Sequence, residues 1–259
     1  MSTALITGAS KGIGKAIATE LAAKGYPLIL VARSEKLLTE LAEELQKKYR
    51  VEVSVLPLDL TGENAVESIL DFIRKKNLAV SVLVNNAGYG LWGNFSDVNE
   101  NEISAMMRIN MFTPVRLTHA MLPVLRKEKQ SYILNIASTS AYQALPTMAV
   151  YAASKSFMLL FSRALRFELN GSNVSVTCLS PGPTETNFMN QAKMLHPDII
   201  KRAAKFNMKP EIVGKFAVNG MFRKKNEIIP GWINRVSVML TYFAPKKLTE
   251  KIAAGFYKT

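Results

Sequence analysis

The chain reads as an α/β protein whose parallel sheet is covered by helices on both faces. Three observations point there. From Thr3 to Ser180 short apolar runs alternate with amphipathic stretches of helical period, the pattern of repeated strand–helix–strand units. The first apolar run leads directly into a glycine-rich turn, and the residues after that turn have helical period. The 259 residues, 48% hydrophobic and 20% charged, suffice for one full core and do not force a second domain. No repeat, low-complexity tract or Gly/Ser linker divides the chain.

Taken in order, Thr3–Thr7 is a short strand and Lys15–Lys24 an amphipathic helix that stops before Gly25. Leu28–Ala32 is apolar again, and Glu35–Tyr49 is a charged amphipathic helix. Val51–Pro57 alternates as a strand does, Glu63–Lys76 has helical period, and Val80–Asn85 is the fourth strand. Asn99–Arg126 holds one long helix or two, with Pro114 predicting a kink or bend. Tyr132–Ala137, Val150–Leu169 and Val174–Ser180 continue as strand, helix, strand. Residues 184–209 break the rhythm and read as an insertion over a pocket.

Composition narrows the function. Cys178 is the single cysteine, which excludes an internal disulfide and fits a reducing compartment. It lies in the apolar run V-S-V-T-C-L and reads as buried packing. With two histidines, His119 and His196, and one cysteine, no structural zinc or other metal site is expected. The N-terminus lacks the basic and apolar regions of a signal peptide, and no apolar run reaches the length of a spanning helix; a cytoplasmic protein is expected. The net charge of +13 raises the odds of an anionic ligand, nucleic acid or an acidic membrane surface, though by itself it reads as a solvated basic face. The cations are scattered with no aromatic stacking platform among them, so no nucleic-acid partner is expected.

The chemistry starts in T-G-A-S-K-G-I-G, Thr7 to Gly14. Gly8, Gly12 and Gly14 follow a strand and open a helix. Such a turn lets the backbone approach a pyrophosphate, and the helix N-terminus offers N–H groups and a favourable dipole. The second strand ends in Arg33, with no acid before Glu35. An acid there would accept from a ribose 2′-OH, whereas a cation suits a 2′-phosphate. Lys11 is a second cation within reach, so the pair predicts NADP(H). Asp59 and Leu60, after the third strand, are placed to contact an adenine; Asp59 reads equally as a turn former or helix cap.

Two further segments end strands: V-L-V-N-N-A-G at Asn85–Gly88 and I-L-N-I-A-S-T-S at Ser138–Ser140. In an open parallel sheet, ligands bind beyond the carboxyl ends of strands. The next helix opens with V-Y-A-A-S-K, which puts Tyr151 and Lys155 four apart on one face. An ammonium near a phenol lowers the phenol's pKa and makes it a usable general acid. Alone, that short and common spacing is better read as two exposed polar side chains on an ordinary helix.

Together T-G-A-S-K-G-I-G, N-N-A-G, Ser138 ahead of Y-A-A-S-K, and S-P-G-P-T-E-T resemble the short-chain dehydrogenase/reductase family in order and spacing, from Ala4 to Phe188. The resemblance implies a single Rossmann-type, doubly wound, dinucleotide-binding catalytic domain spanning 1–259. It implies hydride transfer between a nicotinamide and a carbonyl or alcohol. Tyr151 takes the acid/base role, Lys155 the tuning and ribose-binding role, and Ser138, preferred to Thr139 and Ser140, the carbonyl-orienting role. Asn110, in R-I-N-M, looks like the asparagine of a proton-relay water. Cofactor contacts are implied at Gly8, Ser10, Lys11, Gly12, Ile13, Gly14, Arg33, Asp59, Leu60, Asn86, Ala87, Gly88, Tyr151, Lys155, Pro181, Gly182, Thr184 and Thr186. A homodimer or homotetramer is implied as well.

Residues 187–209 form the expected lid, with Phe188, Met189, Met194, Leu195 and Phe206. Tyr89, Leu91, Trp92, Tyr142 and Leu145 add to an apolar wall that suits a lipophilic ketone such as a 3-oxoacyl chain or a steroid-like ketone. Residues 231–259 read as a helical tail. Trp232–Ala244 is apolar, interrupted by Asn234 and Arg235 and flanked by Arg223, Lys224, Lys225, Lys246 and Lys247. It either docks on its own subunit or a neighbour, or lies on an anionic membrane surface. The tail loosely resembles that of 3-oxoacyl-CoA reductases and 17β-hydroxysteroid dehydrogenases. The competing functional reading is an NADP(H)-binding regulatory or scaffold protein without turnover; the intact Ser138, Tyr151 and Lys155 set argues against it.

Overall fold

The computed structural model of the chain describes residues 2–194, 196 and 207–257. Leu195 and Phe206 of the expected lid lie outside the described residues. The strands are β1 (Thr3–Thr7), β2 (Leu28–Ala32), β3 (Val53–Pro57), β4 (Val80–Asn85), β5 (Ser131–Ile136), β6 (Val174–Leu179) and β7 (Glu227–Ile228). They form one parallel sheet in the order β3-β2-β1-β4-β5-β6-β7. The order reverses between β1 and β4, and the crevice beyond that point is where such sheets bind ligands.

The apolar runs of the sequence become strands because successive side chains face opposite ways and both faces are buried. Ile6, Leu30 and Val84 enter a core with Ile17 and Leu21 of α1 (Gly12–Ala23) and with Val213 and Met221 of α8 (Pro210–Phe222). Leu5, Ile29 and Leu83 point to the other face, against Ile69 of α3 (Ala65–Lys75) and Leu117 and Met121 of α5 (Thr113–Leu125). Helix α2 (Glu35–Tyr49) starts at Ser34, whose Oγ accepts from the Leu37 N–H at 3.4 Å, as an N-cap does. Helix α8 and strand β7 have no counterpart in the sequence reading, where the strand–helix alternation is followed only to Ser180.

The long helical stretch is two helices, and the break is not at Pro114. Helix α4 (Glu100–Met107) widens into a π-helical turn over Arg108–Phe112, and α5 begins at Thr113. There the N–H of Thr113 donates to the carbonyl of Arg108. Pro114 has no N–H to give, and its ring crowds the carbonyl four residues back. The ladder therefore opens ahead of the proline, over the turn that carries Asn110. After α6 (Ala149–Glu168) and the short α7 (Phe188–Gln191), the chain ends in α9 (Trp232–Phe243) and α10 (Lys246–Tyr257).

Candidate active site

The glycine turn is held by backbone contacts and leaves no room for side chains. Gly8 has φ +66°, and a Cβ on Gly14 would lie 2.2 Å from the Gly8 carbonyl oxygen. The Asn86 amide donates to the carbonyls of Thr7 and Gly8 at 2.9 and 3.1 Å. The Thr7 hydroxyl accepts from the N–H groups of Asn86 and Ala87 and donates to Val84. So N-N-A-G latches the loop that T-G-A-S-K-G-I-G forms. Helix α1 opens beyond Lys11 with no side-chain cap and no acid in its first turn. Its orphan N–H groups and positive dipole end suit an anion.

One cavity of about 360 Å³ gathers the predicted residues. Gly8, Ser10, Lys11, Gly12, Ile13, Gly14, Arg33, Asp59, Leu60, Asn86, Ala87 and Gly88 line one end. Ser138, Tyr151, Lys155, Pro181, Gly182, Thr184 and Thr186 line the other. Among the described residues no carboxylate pairs with Arg33 or Lys11. Asp59 forms a turn at the cavity edge. It lines the cavity, and its Oδ1 accepts from the Thr61 N–H at 2.9 Å and hydroxyl at 2.8 Å. The backbone bond is the main reason its carboxyl is held below the usual range.

Ser138 is buried and caps the short helical turn Thr139–Tyr142. Its Oγ donates to Ser140 Oγ at 3.0 Å and accepts from the Ser140 N–H at 3.1 Å. Ser140, a competitor in sequence, thus orients Ser138. The Tyr151 ring is buried beside Phe188, ring centroids 5.2 Å apart. Lys155 Nζ lies 5.8 Å from the Tyr151 ring centre and donates to the Ile136 carbonyl at 3.0 Å. Burial pushes the Lys155 ammonium down to about 8, which opposes the permanently charged lysine that the spacing alone suggests.

Asn110 adjoins the cavity, its Oδ1 2.7 Å from where a Cβ on Gly88 would sit. It is buried and does not line the cavity. Its Oδ1 accepts from the Tyr89 N–H at 3.1 Å, and its amide donates to the Tyr89 carbonyl at 2.9 Å and to Ser154 Oγ at 3.0 Å. The side chain is committed to bracing Tyr89 against α6.

The apolar wall is partly as predicted. Tyr89, Phe188, Met189 and Met194 line the cavity, and Met148, not predicted, joins them. Leu91 and Leu145 pack behind this surface, in one cluster with Tyr151 and Met148. Leu91 and Trp92 line a separate hollow. Tyr142 is turned away. Its hydroxyl donates to the Glu227 carboxylate, which also holds Arg163 at 2.8 Å, and accepts from Ser180 Oγ at 2.9 Å. Burial and that carboxylate push the Tyr142 phenol upward. The half-buried carboxylate on β7 needs donors, and Tyr142 supplies one. Cys178 is fully buried and its thiol is pushed up to about 11, mainly by burial, so packing is its role.

The family model for short chain dehydrogenases matches residues 2–195. The chain belongs to that family. It is a short-chain dehydrogenase fold with the family's oxidoreductase architecture, and the expected resemblance holds. Sulfoacetaldehyde reductase 2 of Chromohalobacter salexigens is 41% identical over 186 residues, 71% of this chain and 73% of that protein. The very-long-chain 3-oxoacyl-CoA reductase of Anas platyrhynchos is 37% identical across 98% of this chain and 82% of its own length. Among solved structures, a short-chain dehydrogenase from Sphingobium yanoikuyae in complex with NADPH superposes with a TM-score of 0.81 at 29% identity, covering 92% of each chain.

Proposed function

We propose that this short-chain dehydrogenase is an NADPH-dependent reductase of a lipophilic ketone. The observation that carries the reading is one cavity holding Ser138, Tyr151 and Lys155 beside a glycine cradle, with Arg33 and Lys11 at one end and methionine and aromatic side chains at the other. The cradle that a Cβ would fill and the uncapped start of α1 fit a pyrophosphate. Arg33 and Lys11, neither in an ion pair with a described carboxylate, suit a 2′-phosphate. The NADPH complex of the Sphingobium relative, and a Schizosaccharomyces pombe relative described as an NADP-dependent 3-hydroxy acid dehydrogenase, 30% identical over 88% of this chain, support the cofactor choice.

When bound, the nicotinamide supplies hydride to the carbonyl carbon. The chain's own residues manage the oxygen. The Ser138 hydroxyl and Tyr151 phenol donate to it where negative charge develops. Tyr151 then gives its proton. Lys155 in its protonated form favours the phenolate left behind. Asn110 acts at one remove, by holding Tyr89 and Ser154 in place. Its carbonyl, to which Pro114 offers no N–H, is the group suited to hold a relay water. The Chromohalobacter relative bears the name of a small polar aldehyde. The Met148, Phe188, Met189 and Met194 surface here favours a lipophilic substrate instead.

Calorimetric titration with NADPH and NADH tests the cofactor, and a ketone panel tests the reaction. Arg33→Asp is expected to weaken NADPH binding roughly tenfold or more, the worth of a charge-assisted hydrogen bond, and to spare NADH. Tyr151→Phe is expected to lower kcat at least about 100-fold with NADPH binding retained. Equal affinity for the two cofactors defeats the Arg33 assignment. Undiminished turnover in Tyr151→Phe defeats the acid role. Tight NADPH binding with no turnover on any ketone or alcohol supports the regulatory reading.

A further inference from the structure

We infer that the outward face of α9 and α10 binds an anionic lipid surface. Helix α9 is docked by its polar side and shows its apolar side to solvent. Asn234, Val238 and Thr241 fall on one arc of the helix, about 60° wide at 100° per residue. Val238 and Thr241 are buried, and the Asn234 side chain lies against Gly182, where a Cβ would come within 2.5 Å of it. On the opposite arc, about 120° wide, lie Trp232, Ile233, Val236, Met239, Leu240 and Phe243. All six are exposed, Trp232 at 74% and Phe243 at 80%. An ordinary surface helix has the reverse arrangement. Asn234 and Arg235, which interrupt the apolar run in sequence, tie the helix down. The Asn234 amide donates to the Pro230 carbonyl at 2.8 Å, and Arg235 Nε donates to the Ile229 carbonyl at 2.9 Å.

Helix α10 also leaves apolar side chains exposed. Thr249 and Ala253 are buried, and Ala253 packs in the cluster that contains Tyr151, Met148 and Met194. Leu248 and Ile252 are exposed, next to Lys247 and Lys251 one step round the helix. Charge decides between the two occupants of such a face, a second copy of the chain or a bilayer. Residues 223–257 carry seven cations, Arg223, Lys224, Lys225, Arg235, Lys246, Lys247 and Lys251, against Glu227 and Glu250. None of the seven is paired with a described carboxylate, and Glu227 is held by Arg163. A twofold contact of this basic segment would set like charges against like charges. An anionic bilayer instead complements it, with the apolar arc entering the headgroup boundary and Trp232 at the level such rings prefer. No helix among the described residues is long and apolar enough to cross a membrane, so the contact is peripheral.

The test is co-sedimentation of the full chain with phosphatidylcholine vesicles made with or without phosphatidylserine, in the absence of any ketone. The expected result is salt-sensitive binding to the phosphatidylserine vesicles, with a blue shift of Trp232 emission. Met239→Ser combined with Phe243→Ser is expected to abolish it. Lys247→Gln combined with Lys251→Gln is expected to weaken it by about 25-fold, about fivefold for each cation withdrawn from the surface. Both double variants are expected to keep the melting temperature and NADPH affinity of the parent, because the changed side chains are solvent-exposed. The inference is overturned if phosphatidylserine vesicles leave the protein in the supernatant. It is also overturned if light scattering in lipid-free buffer shows Met239→Ser with Phe243→Ser halving the molar mass, which would make the face a contact between copies.

Discussion

The two ends of the cavity are built differently. At the glycine-turn end, strand tips and buried hydrogen bonds hold the backbone: Thr7 and Asn86 lock the turn, and a Cβ on Gly14 would meet the Gly8 carbonyl. At the apolar end, side chains carry the surface. Met148, Met189 and Met194 are unbranched and adaptable, and Phe188 sits on a helix of four residues. The first end is made for one ligand geometry. The second has flexible side chains that can repack, and relatives of this chain are named for very different carbonyls.

The sharpest way to break the contrast is Gly14→Ala. The added methyl has no free volume, so the loop must move. We expect a loss of about 3 kcal/mol in stability, read by denaturant unfolding, and no measurable NADPH binding. Near-normal binding would show that the cradle is as adaptable as the apolar wall.

Lys155→Met comes next. The parent's folded state carries a buried ammonium that titrates near 8 instead of 10.5. Between those values the unfolded chain binds more protons than the folded one, so this group makes stability rise with pH. Below the lower value its burial cost is present in full. Lys155→Met is therefore expected to melt higher than the parent at pH 7, by an amount that shrinks toward pH 10, while turnover falls at least about 100-fold. A melting difference independent of pH would refute the burial account.

Phe188→Leu should have the smallest effect. It is expected to raise KM for an aromatic or long-chain ketone roughly tenfold and to leave NADPH affinity within measurement error. An equal loss at both ends would mean that Phe188 supports the cofactor pocket through Tyr151.

Legibility in the sequence follows the same division. The glycine turn, Asn86–Gly88, Ser138 and the Tyr151–Lys155 face can be read because each is a local pattern at a strand end or on one helix turn. Tyr142 reads as substrate wall on composition, yet it answers to Glu227, 85 residues away. Asn110 reads as part of the site, correctly as to neighbourhood. Its side chain, however, is consumed by Tyr89 and Ser154, 21 and 44 residues away. Pro114 signals a break, but the ladder opens ahead of it, because a proline disturbs the carbonyl four residues back. Strand β7 is two residues long and has no periodicity to find.

By itself the sequence determined the alternation of strands and helices, the glycine turn, and the facing of Tyr151 and Lys155. Those follow from side-chain periods of 2 and 3.6 and from where glycine is required, which are properties of a few adjacent residues. Only the tertiary structure decided that Lys155 is stripped of water, that Ser140 orients Ser138, that Asn110 braces the site, and that α9 docks by its asparagine and turns its apolar face outward. Each of these depends on groups brought together by folding, and the free energies of burial and hydrogen bonding exist only once those groups meet.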